Sequence, residues 1–429
     1  MTNGRKIPQT ISFTCYLRIV VCLPLLAASV SSCGGGSTDD GRTVVRVVTW
    51  KPDYPHLWDT ALARFHRANP DIRIAREIGP QNSTQLHDLL TQKLRNRDVS
   101  VDAFLMDVIW TAEFARAGWA APLDDRFPPE ERAQFFAGCI AADVVGDGIY
   151  GVPFNTDSGV LYYRTDLLDK YGFAPPRTWP ELVDQVDSIL AGEDDPRLSG
   201  YSGQFRQYEG LVCNMLEFVG ANGGDLLAPS TPEVIAAVEF VRDRIIAGVA
   251  PRGVLTYQEQ ESLDLFASGG AIFHRNWPYA WAVCRETAMA GKVGIARLPT
   301  FKPGMSTAAL GGWRFGVSAF SQHPDEAWRV VAFLTSPEMQ ELFAVEGGKA
   351  PARRALYQDA DVLGANPHFA ALYDVFETAT PRPRSPIYPE LSHILQRFLH
   401  AAIADTLSEI PALAHQAAVA IQTAQARID

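Results

Sequence analysis

The sequence predicts an α/β protein with two lobes, and two features of the chain support this prediction. Segments rich in β-branched residues alternate with segments whose apolar residues recur at helical spacing, a pattern typical of open sheets with parallel strands. About 390 of the 429 residues follow a short N-terminal leader. Because this length exceeds what one hydrophobic core usually organises, we expect two lobes.

The alternation is clearest in the first part of the chain. The predicted elements there are, in order, a strand at 43–50, a helix at 56–69, a strand at 72–75, a helix capped by Ser83 with its apolar face at Leu86, Leu89, Leu90 and Leu94, and a strand at 101–106. Ligands of open α/β sheets bind beyond the carboxyl ends of the strands. Trp50 and Asp107 occupy such positions and are therefore candidate ligand-binding residues.

Three further helices are predicted from their start signals. Residues 178–181, Thr-Trp-Pro-Glu, form a capping-box sequence ahead of an apolar run. Thr231-Pro232-Glu233 and Ser336-Pro337-Glu338 each place proline at the first helical position. No repeat with a period of 20–50 residues is present in the sequence, so a solenoid or propeller is not expected.

The N-terminal residues are typical of a lipoprotein signal. Basic residues precede an apolar run at 19–28 that is too short for a mature membrane span, and Val30-Ser31-Ser32 leads directly to Cys33. We therefore expect a signal peptide at residues 1–32, lipid on Cys33 and a flexible Gly-rich tether at 33–42. The alternative is an ordinary secretory peptide with an incidental cysteine.

The charge balance argues against polyanionic partners. The chain has 38 Lys and Arg against 49 Asp and Glu. Removal of residues 1–32 would take away three basic residues and no acidic ones, leaving 35 against 49, a net charge of −14. Nucleic-acid binding requires a basic face, and adsorption on anionic lipid requires a basic cluster. Neither activity is therefore expected.

Signatures of catalysis, metals and cofactors are missing from the sequence. It contains no HExxH, no GxSxG and no phosphate loop. Outside the leader and Cys33, the cysteines are Cys139, Cys213 and Cys284, which match neither a zinc spacing nor a disulfide framework. We expect at least one of these thiols to be buried. The sequence thus predicts no enzyme activity, no metal and no cofactor.

Aromatic residues beside carboxylates and amides at loop positions indicate a carbohydrate site. A sugar offers flat apolar faces to aromatic rings, and its hydroxyl groups form hydrogen bonds with acidic, amide and guanidinium side chains. Trp277 and Trp313 are the best candidates for stacking, although Trp277 could instead pack in a core. Three other tryptophans lie on predicted helical faces and are expected in the core: Trp58, Trp179 and Trp328.

Several stretches, taken together with their order and spacing along the chain, resemble a known protein family. They are Met106–Ala115, Gly151–Asp157 with Leu161–Arg164, Phe266–Ile272 with Asn276–Pro278, Gly311–Trp313 and Arg382–Tyr388. Together they resemble the family 1 extracellular solute-binding proteins, which include maltose- and trehalose-binding proteins. The likeness is strongest to the trehalose-binding lipoproteins of mycobacteria, around Asp107 and Arg382. The resemblance implies a periplasmic-binding-protein-like fold, with two α/β lobes joined by hinge segments and a ligand cleft between them.

Such lobes are discontinuous in sequence. The expected division gives residues 43–153 plus 306–346 to the first lobe and residues 154–300 plus 350–429 to the second. The crossovers are expected near Pro153, from Pro299 to Met305 and from Glu346 to Ala350, where Gly and Pro cluster between periodic segments.

The resemblance also implies roles for individual residues. Asp107 matches the acidic residue that grips a pair of glucosyl hydroxyls, and Asp157 falls where the family has Asp or Asn after the first crossover. Glu259 matches a glutamate of trehalose binders, Trp277 matches the stacking tryptophan, and Arg382 matches an arginine that reaches sugar hydroxyls. Four residues complete the expected sugar-binding set: Trp50, Asn276, Gly312 and Trp313.

These observations predict the extracytoplasmic, lipid-anchored and monomeric substrate-binding protein of an ABC importer, working with permease and ATPase subunits. The expected ligand is an α-glucosyl disaccharide or short oligosaccharide, with trehalose first and maltose second. Asp157 is Asn in the nearest trehalose binders and the loop at 50–54 has no counterpart there, so the particular sugar stays open. One alternative is a secreted glycoside hydrolase, which would use two carboxylates among Asp107, Asp157 and Glu259. The other is a sugar-sensing receptor module.

Overall fold

A computed structural model describes residues 41–51, 55–302, 304–305, 307–407 and 409–427. The predicted signal peptide at 1–32, Cys33 and the tether up to residue 40 lie outside these residues. Within the part that is described, no helix is both long and apolar enough to cross a membrane.

The strands of the described residues form two main sheets and two short strand pairs. They are β1 Thr43–Thr49, β2 Ile72–Ile78, β3 Ala103–Asp107, β4 Val144–Val145, β5 Gly148–Ile149, β6 Val152–Pro153, β7 Asp157–Ser158, β8 Val160–Arg164, β9 Ser199–Ser202, β10 Ala271–Asn276, β11 Val293–Ala296, β12 Leu310–Gly311 and β13 Trp313–Val317.

The α-helices account for most of the remaining regular structure. They are α1 Pro55–Ala68, α2 Ser83–Arg95, α3 Thr111–Arg116, α4 Pro129–Arg132, α5 Ala137–Asp143, α6 Thr165–Tyr171, α7 Trp179–Glu193, α8 Glu209–Ala221, α9 Pro232–Phe240, α10 Glu259–Ala267, α11 Ala280–Arg285, α12 Pro324–Leu334, α13 Pro337–Gly347, α14 Ala360–Ala365, α15 His368–Glu377, α16 Tyr388–Ala404 and α17 Ile410–Gln425. A π-helical segment at Val241–Val249 continues α9, and 3₁₀ turns lie at Val254–Thr256 and Arg354–Gln358.

The first sheet has the strand order β2-β1-β3-β13-β6. Strand β1 pairs in parallel with β2 and β3, as the alternation of strands and helices predicts, whereas β13 runs antiparallel between β3 and β6. In that register Trp313, the first residue of β13, lies opposite Asp107, the last residue of β3. Strand β13 therefore places Trp313 at the sheet edge at which β3 ends.

The N-terminal elements predicted from the sequence are present, with small differences at their ends. Strand β2 continues to Ile78 because it stays paired with β1 along its whole length. The cap predicted at Ser83 is wrong by one residue. Asn82 is the N-cap of α2, since its side-chain oxygen accepts a hydrogen bond from the Gln85 backbone N–H at 3.1 Å, and Ser83 is the first helical residue.

The later helix starts are also as predicted, but only some of their capping bonds form. Thr178 accepts a hydrogen bond from the Glu181 backbone N–H, whereas the Glu181 carboxylate accepts from the N–H of Arg177 rather than from Thr178. Ser336 caps α13 through the N–H of Met339. In contrast, the Thr231 hydroxyl donates to the Ala228 carbonyl and does not cap α9.

The second sheet has the order β11-β8-β10-β9, in which β10 is antiparallel to β8 and parallel to β9. Helix α8 is joined to this sheet by a buried ion pair between Glu217 and Arg275 of β10. Helices α16 and α17 pack against α8 and α9. Of the tryptophans expected in the core, Trp58 and Trp179 are buried and Trp328 is half-buried.

Short pairings connect the two sheets. Strand β7 pairs antiparallel with β12, which places Asp157 opposite Gly311. Isolated bridges join Asn155 to Pro351 and Ala309 to Thr380. The pairs lie close to the predicted crossovers, and the exact lobe boundaries stay a prediction.

Candidate ligand-binding cleft

A cavity of about 350 Å³ lies beyond the carboxyl end of β3, between residues of the first sheet and residues of the second. Its volume falls in the range of about 300–1,000 Å³ that is usual for small-molecule sites. Its lining includes eight of the nine residues predicted to bind sugar: Trp50, Asp107, Asp157, Glu259, Trp277, Gly312, Trp313 and Arg382. The structure thus brings together residues from most of the length of the described chain.

The ninth predicted residue, Asn276, does not line the cavity. It is fully buried at the end of β10, where its side-chain oxygen accepts a hydrogen bond from the Trp277 backbone N–H at 2.8 Å. Its amide nitrogen contacts the ring of His274 at 3.0 Å. Asn276 therefore orients the start of the Trp277 loop and is buried away from the cavity.

Aromatic rings enter the cavity from both sheets. Trp50 and Trp313, which follow and begin strands of the first sheet, have ring centroids 4.8 Å apart and an interplanar angle of 31°. Trp110 packs edge-on against Trp313 at 5.7 Å. Trp277 and Tyr279 contribute rings from the loop after β10. Such an arrangement offers apolar faces to two sides of a flat ligand.

The buried guanidinium group of Arg275 packs against the indole ring of Trp277. The guanidinium carbon of Arg275 lies 4.0 Å from the Trp277 ring centroid, a close cation–π contact. Arg275 is fully buried, and it donates two hydrogen bonds to Glu217, at 2.8 and 2.5 Å, and one to Gln204 at 3.1 Å. This network fixes the guanidinium, so one part of the indole surface is covered and Trp277 still lines the cavity.

Arg382 connects the two sides of the cleft. It is almost completely buried and donates hydrogen bonds of 2.8 Å to Asp107 and to Glu209, the first residue of α8. The Arg382 Nε atom is also buried and has no partner among the described residues. The Asp107 Oδ1 atom, in addition, accepts from the Ile109 N–H at 3.2 Å. The two residues therefore form a charged pair among the residues that line the cavity.

Asp157 supplies an incompletely bonded carboxylate. Its Oδ2 atom accepts a hydrogen bond of 2.7 Å from Asn155, whereas its buried Oδ1 atom has no partner in the described part of the chain. Burial raises the pKa of Asp157 to about 7, although the nearby Lys349 lowers it. A buried acceptor without a partner costs stability, and a hydroxyl donor from a ligand would satisfy it.

Glu259, at the start of α10, lies beside Trp277. Its carboxylate accepts a hydrogen bond from the indole Nε1 at 3.4 Å. Burial raises its pKa, and the nearby Tyr208 hydroxyl and Trp277 indole act in the opposite direction. The contact restrains the rotation of the indole and leaves the carboxylate at the cavity surface.

Two glycines allow the chain to pass close behind the cleft. Gly312 has a φ of 111°, and a Cβ at this position would lie 2.4 Å from the Asn155 carbonyl oxygen. A Cβ on Gly311 would lie 3.0 Å from the Trp277 ring. Because only glycine tolerates this backbone conformation and approach, the Gly311-Gly312 sequence is needed for the chain to pass the Trp277 ring and the Asn155 carbonyl on its way to Trp313.

Sequence reasoning missed three notable residues of the cavity wall, namely Glu209, Tyr279 and Lys349. The Lys349 ammonium lies 4.5 Å from the centroid of the Tyr279 ring and 5.7 Å from that of Trp50. Lys349 lies within the crossover predicted at 346–350, so its position could have identified it. Glu209 had no such signal, because its partner Arg382 follows 173 residues later.

The remaining cysteines are buried free thiols, as expected. Burial raises the pKa of Cys139 to about 11 and that of Cys213 and Cys284 to about 12. Their thiols therefore stay protonated near neutral pH, and a protonated buried thiol is a poor nucleophile.

The raised pKa of Asp157 predicts how stability depends on pH. The folded protein keeps the Asp157 proton up to about pH 7, whereas the unfolded chain loses it near pH 4. The free energy of unfolding contributed by this group is therefore highest at low pH and is lost as pH rises towards 7 and above. Urea unfolding at several pH values should show the wild type losing stability relative to Asp157→Asn from pH 5 to 8. Parallel curves for the two proteins would contradict this assignment.

The fold and the cleft together define the class of the protein. Two α/β lobes with a ligand cleft between them form the periplasmic-binding-protein-like fold. Residues 51–341 match the family described as bacterial extracellular solute-binding protein, and the chain belongs to this family.

Individual relatives agree with this assignment. A probable ABC transporter-binding protein of Deinococcus radiodurans is 38% identical over 316 residues, which cover 71% of this chain and 74% of the relative. The maltose-bound structure of T. maritima MalE3 has a TM-score of 0.84 and 35% identity, covering 89% of this chain and 99% of that chain. A Thermotoga lettingae solute-binding protein bound with α-D-tagatose has a TM-score of 0.79 and 22% identity, covering 88% and 100%.

The family determines how the carboxylates of the cleft are interpreted. Its members are extracytoplasmic solute-binding proteins and not enzymes, so this chain is a solute-binding protein. The glycoside hydrolase considered from the sequence is therefore set aside. Asp107, Asp157 and Glu259 are interpreted as hydrogen-bonding groups for a ligand and not as a catalytic pair.

Proposed function

We propose that this chain is the sugar receptor of a bacterial ABC importer. In this role it binds an α-linked glucose disaccharide or a short oligosaccharide as a monomer and passes it to permease and ATPase subunits. The observation that carries the proposal is the composition of the cleft. Aromatic rings from both sheets line a cavity whose wall also contains Asp107, Asp157 and Arg382, the types of side chain that bind sugar hydroxyl groups.

The cleft supports a neutral sugar through two kinds of contact. Trp277, held by Arg275, offers an apolar plate for the C–H face of a pyranose ring. Asp107 and Arg382 contribute an acceptor and a donor group to the cavity wall. A site of this type discriminates strongly against analogues that lack a hydroxyl, because its buried polar groups would then be left without partners.

Maltose and trehalose are the first ligands to test. Trehalose follows from the likeness to trehalose-binding lipoproteins, and the 35% identical T. maritima protein was crystallised with maltose. Thermal unfolding against a panel of disaccharides compares them directly. A ligand present at 100 times its dissociation constant should add about 2.7 kcal/mol to the free energy of unfolding. No shift with any α-glucosyl disaccharide or oligosaccharide would contradict the proposal.

Import and sensing use the same binding event but have different consequences. The proposed importer role predicts that cells without this protein lose uptake of the labelled disaccharide. A sugar-sensing receptor module would instead leave uptake intact and abolish a transcriptional or motile response to the sugar.

The lipid anchor is a further part of the proposal. Cys33 follows Val30-Ser31-Ser32 behind a short apolar run, the arrangement of a lipoprotein cleavage site. Cys33→Ser should therefore move the protein from the membrane fraction to the secreted soluble fraction, with its sugar affinity unchanged. Fractionation followed by immunoblotting measures the first effect and calorimetry the second. Full membrane retention of the variant would contradict the anchor.

A further inference from the structure

The Glu209 carboxylate lies at the cavity wall, but its oxygens are already used by the protein. Oε1 accepts hydrogen bonds from Arg382 at 2.8 Å and from the Tyr388 hydroxyl at 2.7 Å. Oε2 accepts a short hydrogen bond from the Ser392 hydroxyl, which in turn accepts from Gln396. A carboxylate with this many donors and only 6% exposure has little capacity for a ligand. Glu209 therefore binds protein groups, of which Arg382 is the one that lines the cavity.

The two carboxylates around Arg382 come from different sheets of the protein. Asp107 ends a strand of the first sheet, whereas Glu209 begins α8, which is joined to the second sheet through the Glu217–Arg275 pair. Arg382 lies in the connection after α15, just beyond the Ala309–Thr380 bridge. Its guanidinium is therefore held from both sides of the cleft, and its orientation depends on both.

We propose that Glu209 is a positioning residue, which holds the Arg382 guanidinium in a fixed orientation at the ligand cleft. This inference rests on the proposed function of the cleft. With two nitrogens fixed by Asp107 and Glu209, the Arg382 guanidinium is oriented at the cavity wall before the ligand arrives. Fixing a donor in advance reduces the entropy lost on binding, so the benefit appears as affinity. Tyr388 and Ser392 extend the same arrangement into α16.

The test is a double-mutant cycle between Glu209→Gln and Arg382→Met, with maltose and trehalose titrated calorimetrically. Glu209→Gln alone should weaken the affinity for the sugar about tenfold relative to the wild-type protein. This effect lies within the usual range of coupling energies between contacting residues. In the Arg382→Met background the same substitution should change the affinity less than twofold, because the group it positions is gone. An equal loss in both backgrounds would overturn the proposal, since Glu209 would then act independently of Arg382.

Two further variants complete the test. The first allows a result even if Glu209→Gln or Arg382→Met prevents folding, and the second is a control. Tyr388→Phe removes one donor to Glu209 with little change of shape and should weaken affinity about threefold, as expected for one hydrogen bond. Glu131→Gln is the matched control, because Glu131 accepts from Arg353 away from the cavity, and it should bind as the wild type does. Wild-type affinity in both Glu209→Gln and Tyr388→Phe would overturn the positioning role alone. Failure of the wild type to bind either sugar would overturn the proposed function, and the inference with it.

Discussion

Trp277→Ala is expected to weaken sugar binding by about 2–4 kcal/mol, which is the scale of a hot-spot residue and corresponds to roughly 30- to 1,000-fold in the dissociation constant. The physical reason is the loss of an aromatic plate whose position is fixed by the Arg275 guanidinium 4.0 Å away and by a hydrogen bond to Glu259. Calorimetric titration gives the affinity, and urea unfolding of the ligand-free variant gives its stability.

The same pair of measurements distinguishes a binding role from a core role for Trp277. A stable variant that no longer binds sugar would show that Trp277 acts as a stacking residue. A variant that unfolds at clearly lower urea concentration and still binds with near-normal affinity would show that Trp277 mainly packs the second lobe. Trp328→Ala is a suitable control, because Trp328 is half-buried on α12 and does not line the cavity. Its affinity should equal that of the wild type.

Glu217→Ala should be strongly destabilising, by about 3–5 kcal/mol, as is usual when one partner of a buried ion pair is removed. Arg275 is fully buried, and Glu217 accepts two of its hydrogen bonds together with one from the Ala309 N–H at 3.2 Å. Without Glu217, the guanidinium would be left as a buried charge that Gln204 alone cannot compensate. Chemical unfolding of the ligand-free protein measures the loss.

An exposed ion pair provides the comparison. Glu338 pairs with Arg64 at 2.8 Å on the surface, with 61% of its side chain exposed. Because solvent screens such pairs, Glu338→Ala should change the free energy of unfolding by less than about 1 kcal/mol. Equal effects of Glu217→Ala and Glu338→Ala would contradict the structural importance of the buried pair. Glu217→Ala should also reduce sugar affinity, because Arg275 would no longer support Trp277 in a fixed position.

Local sequence patterns were sufficient for the elements that begin the chain. The β-branched run at 43–50 and the Asn69-Pro70 stop define β1 and the end of α1 because both depend on neighbouring residues. Trp50 and Asp107 were found for the same reason, since the end of a strand can be recognised locally and strand ends form the binding edge of such sheets. The family resemblance then identified the residues contributed by the later part of the chain.

Two features of the cleft differ from what the sequence predicted. Asn276 was predicted to bind sugar, but it is buried outside the cavity lining, where its amide contacts the Trp277 N–H and His274. Glu209 was not recognised, because its role depends on Arg382, which lies 173 positions away in sequence. Pairings of this length follow from the fold as a whole, and no periodicity in the sequence reports them.

The proposed receptor binds one α-linked glucose disaccharide in its cleft and leaves the sugar chemically unchanged. Isothermal titration calorimetry of the purified chain with maltose and with trehalose, followed by assay of the recovered solution for free glucose, tests it most directly. Saturable binding of at least one of the two sugars is expected at one molecule per chain, with the sugar recovered intact. The absence of binding heat for both sugars, or the release of glucose, would contradict it.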